Sequence, residues 1–152
     1  MSESMRKGLL EGKTEGYCSF HHGFLIRCLR HTIRMNTLLL RKLDRLQEAL
    51  KEWSITWGLS RLARDVDIAF AEDLGGDLGQ CDLKRHQITL LGDLLLPQNE
   101  DLLFETLCHE AAHLVTYHRY GTGIESHGVE WQEYMEKAGY EPRATISAKE
   151  LR

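Results

Sequence analysis

His109, Glu110 and His113 occupy positions i, i+1 and i+4 of a segment whose apolar residues recur at helical spacing, and no other feature constrains the chain as strongly. Leu103, Leu107, Ala111 and Leu114 form a stripe at i, i+4, i+8 and i+11 that must pack on a core. Thr106, His109, His113 and Tyr117 make the neighbouring row. Two imidazoles four residues apart leave one face of a helix about 6 Å from each other, close enough to share a tetrahedral metal ion. Asn99 reads as the helix cap, with Glu100 and Asp101 in the first turn where the macrodipole favours negative charge; Gly121 after Tyr120 reads as the stop.

HExxH on a helix is the sequence form of a zinc hydrolase site, with the Glu placed to take a proton from metal-bound water without ligating the metal. Random placement of the 8 histidines and the glutamates of this chain would give about 0.04 such matches. The competing reading is a pair of surface histidines beside a solvated carboxylate, so a third ligand matters.

Catalytic zinc keeps three protein ligands and one open position. The extended form HExxHxxGxxH does not occur, because Thr116 and Arg119 stand where its Gly and third His would fall. His118 points about 140° away round the same helix. His127 is better placed, beyond a loop with Gly121 and Gly123 and in the first turn of a second helix that Ser126 would cap. Trp131, Tyr134, Met135 and Ala138 would form the buried face of that helix. His127 ranks first as third ligand and Glu130 second, with Glu125 and Glu133 as further rivals.

Thr106 to His113, followed by His127-Gly128-Val129-Glu130-Trp131, resembles the SprT-like (SprT/Spartan) family of zinc metallopeptidases, whose pattern is HExxH, a variable loop and HGxxW. Trp53 and Trp57, the strand 66–70, the hairpin opening at 79–81 and the strand at 88–90 are similar to that family's order of elements, so the resemblance spans residues 37–144. It implies a zincin-like minimal metallopeptidase fold with HExxH on the active-site helix. It also implies that His109, His113 and His127 bind Zn²⁺ and that Glu110 is the catalytic base. Many relatives add a four-cysteine zinc ribbon, which has no counterpart here because no cysteine follows Cys108. Residues 35–152 are expected to form the SprT-like domain, and residues 1–34 an extension, either preceding a natural start at Met35 or loosely attached.

The rest of the chain reads as α+β. Leu39, Leu43, Leu46, Leu50, Trp53 and Trp57 define a long amphipathic helix ended by Gly58. Alternation at Val66, Ile68 and Phe70, at Cys81 and Leu83, and at Ile88 and Leu90 predicts three half-buried strands. Lys84-Arg85-His86 would connect an antiparallel hairpin, giving a small antiparallel or mixed three-stranded sheet packed against helices.

With 152 residues and a formal charge of −4, a single soluble domain is expected and a dominant basic face is not. DNA association, which the resemblance makes possible, therefore lacks support from charge. The expected partner is a protein or peptide substrate, with no membrane, a monomeric state and a cytoplasmic location. Four scattered cysteines do not form a disulfide framework. Cys108 reads as a small buried hydrophobe. Cys18-x-x-His21 and Cys28-x-x-His31 offer a minor second metal motif.

The mechanism these residues predict is peptide-bond hydrolysis. Zinc-activated water would attack the carbonyl, Glu110 would carry the proton to the leaving amine, and Tyr117, His118, Arg119 or Tyr120 would stabilise the oxyanion. A substrate peptide would add a strand along residues 88–91. Two alternatives come from other classes. A non-catalytic, zinc-stabilised interaction module needs a fourth ligand such as His118 or Glu125. A nucleic-acid-associated recruitment protein needs a basic surface. Gly121 and Gly123 are read as a turn rather than a lid hinge.

Overall fold

The computed structural model describes residues 22–152, with side chains from residue 37 onward. Thr37–Arg152 forms one compact unit, and the packing described below lies within it. Cys18 and His21 lie outside the described residues, as do the side chains of Cys28 and His31.

Helix α1 spans His22–Thr56. It begins inside the segment 1–34 that was expected to be an extension; from residue 24 to Trp57 the chain carries neither Gly nor Pro, so nothing interrupts the backbone ladder. Leu46, Leu50 and Trp53 bury the expected stripe, whereas Leu39 at its start is exposed. Trp57 follows the helix end, stacks on Trp53 at 6.0 Å and donates its indole N–H to the Tyr134 carbonyl at 2.9 Å. A single turn, α2 (Leu62–Asp65), leads into the sheet.

Strands β1 (Asp67–Ala71), β2 (Gly79–Asp82) and β3 (Gln87–Leu91) form a mixed sheet in the order β1-β3-β2. β2 and β3 make the antiparallel hairpin, in register Cys81 opposite Ile88, and β3 runs parallel to β1 with Ile68 opposite Ile88. β3 is therefore central, and Ile88 and Leu90 are fully buried. This corrects the expected docking of a peptide on residues 88–91. Both edges of β3 are already paired, so a further strand could add only at β1 or β2.

Helix α3 (Glu100–Tyr120) packs against β2, β3 and α4 (Val129–Lys137). Its stripe Leu103, Leu107, Ala111 and Leu114 is buried as read, together with Cys108. Each such leucine contributes about 1.5–3 kcal/mol by leaving water, and Trp131 and Met135 of α4 close the core from the other side. Gly121, at φ 74°, ends α3 with its N–H on the Tyr117 carbonyl at 2.8 Å. Asn99 stands at the N-cap position without capping through its side chain. Its amide donates to the Asp93 carbonyl at 2.9 Å and its Oδ1 accepts from the Arg152 N–H at 2.8 Å, which ties the C-terminal segment to the start of α3. Among the described residues no helix is long and apolar enough to cross a membrane.

Candidate metal centre

Helical spacing places His109 and His113 on one face of α3, and the loop after α3 returns His127 to them. The three Nε2 atoms form a nearly equilateral triangle, with separations of 3.2 Å (His109 to His113), 3.1 Å (His113 to His127) and 3.2 Å (His109 to His127). Each imidazole nitrogen presents in its ring plane either one proton or one lone pair, so three that converge cannot all satisfy one another by hydrogen bonding. A shared cation resolves the conflict. Metal–nitrogen bonds of 2.0–2.1 Å in tetrahedral geometry require nitrogens about 3.4 Å apart, within a few tenths of the observed spacing. Among the described residues these three histidines are the group able to hold a metal ion.

Burial first, and mutual repulsion second, hold these rings in the ligating neutral form. His113 is pushed down to about 3 and His109 to about 4, the latter against a raising influence from the Arg143 backbone. Burial also lowers His127, with Glu125 opposing. Trp131, fully buried, packs against all three rings. Its centroid lies 4.8 Å from His109, 4.7 Å from His127 and 5.6 Å from His113, the last as a stack. α4 begins two residues later than read. Gly128 is its N-cap, so His127 lies in the preceding loop rather than in the first helical turn, and Ser126 caps nothing. Loop placement leaves the ring free to turn back toward α3, which a helical position would restrict.

Glu110, also buried, lines the cavity beside His109 and His113 without joining the triangle. Burial raises its carboxyl to about 7; the neighbouring Cys81 thiol opposes the shift and Asp77 adds to it. Burial holds the Cys81 thiol up at about 12, so it faces the carboxylate protonated. Gly79 of β2 passes so close that a Cβ there would lie 2.7 Å from Thr106 Cγ2 and 3.0 Å from Glu110 Cγ. The role of these β2 residues was missed in the sequence. Cys81 shows there only as one apolar position in an alternating strand, and Gly79 as a hairpin glycine.

Two adjoining cavities share Asp77, Gly79, Glu110 and His113. One of about 260 Å³ is walled by His109, His127 and residues 144–146. The other, about 640 Å³, is walled by Cys81, Tyr117 and the loop after α3. Neither is lined by Lys or Arg. Of the residues read as oxyanion candidates only Tyr117 reaches this cleft. His118 lines a separate cavity with His86 and Leu114, while Arg119 donates to the Trp57 carbonyl at 3.3 Å and Tyr120 and Arg119 both bear on Tyr134. His118 and Glu125 are outside the metal-binding group, as are Glu130 and Glu133, the latter paired with Lys137 at 3.2 Å. The fourth protein ligand that a closed structural site requires is not among the described residues.

Two imidazoles from α3 and a third from the loop before α4 converge beside a buried carboxylate in an α+β domain with a small mixed sheet, a group of HExxH type able to hold a metal ion. Residues 46–150 match the SprT-like family model, and the chain belongs to the SprT-like family. It is 38% identical over 61 residues to Protein SprT of Pseudomonas syringae pv. tomato, covering 40% of this chain and 37% of the relative. With Protein SprT of Vibrio atlanticus it shares 35% identity over 78 residues, covering 51% and 46%. The chain thus spans less than half the length of the curated relatives it matches. It is also similar to the crystal structure of the metallopeptidase zymogen abylysin from Pyrococcus abyssi, at 24% identity and a TM-score of 0.47, over 60% of this chain and 77% of that one.

Proposed function

We propose that the domain is a zinc-dependent metallopeptidase in which His109, His113 and His127 hold the metal and Glu110 is the general base. The observation that carries this reading is the Nε2 triangle with a buried, non-ligating carboxylate beside it. Imidazoles favour zinc among several transition metals, and family membership supports that choice. A zinc ion bound there supplies Lewis acidity, which polarises a substrate carbonyl and makes a water molecule acidic enough to attack it near neutral pH.

The chain's own residues do the remainder. Glu110, with its pKa raised to about 7, is matched to accept a proton from the attacking water and return it to the leaving amine. The protonated Cys81 thiol lines the same cavity as the carboxylate and favours its charged form. Trp131 excludes water from the inner side of the rings. The outer edge of β2 lies next to Glu110 and is unpaired within the sheet, so an extended peptide is suited to add there by main-chain hydrogen bonds. Tyr117 is positioned in the cleft to donate to a developing oxyanion. Carboxylates without Lys or Arg along the cleft support a polypeptide substrate over a phosphate backbone there.

Glu110→Gln tests this directly. Cleavage of a denatured or flexible protein substrate should fall at least about 10³-fold, with zinc content unchanged. Loss of zinc together with activity would make Glu110 a ligand instead.

A further inference from the structure

The segment that follows α4 is pinned to the first half of α3. Arg143 donates from Nε and Nη2 to Glu105 Oε1 at 2.8 and 2.6 Å and from Nη1 to Glu150 Oε2 at 3.0 Å. Glu150 in turn accepts from the Ser147 N–H at 3.1 Å, closing a capping box on the short turn Ala148–Glu150. Glu105 precedes His109 by one turn of α3, so the two side chains share a face. The chain leaving Arg143 then lines the cavity that contains His109, His113 and His127, through Ala144, Thr145 and Ile146.

His109 supplies the complementary observation. Its Nδ1 is buried without a completed hydrogen bond, the one side-chain atom of that kind among the described residues. An imidazole that offers its Nε2 lone pair to a metal carries its proton on Nδ1, and a buried N–H of this sort needs an acceptor that also fixes the ring. The main chain leaving Arg143 walls the same cavity as His109, which brings the Arg143 carbonyl to the side of that ring.

We propose that Arg143 is a positioning residue for the metal centre. Clamped by Glu105 and Glu150, it holds its own main-chain carbonyl against Nδ1–H of His109 and so sets the tautomer and orientation in which that ring meets the metal. This rests on the metal-centre reading above. The clamp links the wall of the cleft to a ligand, so the C-terminal segment serves the site without touching substrate chemistry.

The test compares full-length wild type with Arg143→Ala, Arg143→Lys and Glu105→Gln. Zinc affinity is measured by chelator competition, the visible spectrum of the cobalt-loaded form reports ligand geometry, and ¹⁵N-detected NMR of the zinc form reports the His109 ring proton. Arg143→Ala should weaken zinc binding about 10- to 100-fold, shift the cobalt spectrum and speed exchange of the His109 Nδ1 proton. Arg143→Lys should recover part of the affinity, and Glu105→Gln should move all three readouts the same way by a smaller amount. A folded Arg143→Ala protein with wild-type zinc affinity and an unchanged cobalt spectrum would overturn the clamp; if Arg143→Ala does not fold, the same null result for Glu105→Gln overturns it. Wild type that binds no zinc would instead remove the metal-centre reading itself.

Discussion

Trp131 donates its indole N–H to the main-chain carbonyl of His109 at 3.2 Å, a bond from α4 into the turn of α3 that carries the first histidine of the triangle. The same indole packs on all three imidazoles, so one side chain sets both the spacing of the two helices and the inner wall of the site. Trp131→Phe keeps an aromatic plate but removes the donor and part of the volume. It should lower unfolding stability by about 1–3 kcal/mol and weaken zinc binding at the same time. Chemical denaturation of the metal-free protein, read beside a zinc titration, separates the two effects; a stability loss with undiminished zinc affinity would show that Trp131 serves the core alone.

Gly79 sits where β2 crosses Thr106 and Glu110. Gly79→Ala forces a methyl to within 2.7 Å of one and 3.0 Å of the other, so either the strand or the carboxylate must move. The expected cost is about 1–3 kcal/mol of stability, with a drop in cleavage rate larger than any change in zinc content. Equal activity in the alanine variant would mean that β2 shifts without disturbing Glu110.

Acid should destabilise the metal-free protein in a defined window. Unfolded histidines titrate near pH 6.5, whereas burial holds His109 and His113 neutral to about 4 and about 3. Between those limits the unfolded chain binds more protons, so stability falls as pH falls, by up to about 2.7 kcal/mol per pH unit for two groups. His127, also lowered, acts in the same direction. Glu110 opposes them. Its native pKa of about 7 exceeds the unfolded value of 4.5, so in that interval the native state holds the extra proton and loses stability as pH rises. The net expectation is a loss of roughly 1.4 kcal/mol per unit on acidification from pH 6.5 to 5. Urea midpoints at those two pH values check it, and a higher midpoint at pH 5 would reverse the assignment.

Helix α3 was legible because everything that defines it is local. Capping position, first-turn acids, the Leu103 to Leu114 stripe, HExxH and the Gly121 stop all lie within one element. The β2–β3 hairpin was legible for the same reason. Pairing of β1 with β3 is not local, and without it β3 was taken for an edge that could accept a peptide. His127 was found by its distance from His113 and by resemblance, yet the helix after it begins only at Val129, with Gly128 as N-cap, because a residue that must turn its ring back on α3 lies before the helical ladder. The meeting of Arg143 with Glu105, 38 residues apart, and that of Cys81 with Glu110 have no spacing rule behind them. Each depends on which faces the folded elements present to one another.

His127 joins the site from outside α3, so its contribution decides whether three imidazoles share one ion. Zinc stoichiometry and affinity should be measured on metal-stripped, reloaded wild type and on His127→Ala. One zinc per described domain in wild type, with an affinity loss of at least about 100-fold in the folded variant, is the predicted result. A folded His127→Ala protein that retains wild-type zinc affinity, or wild type that takes up none, would contradict it.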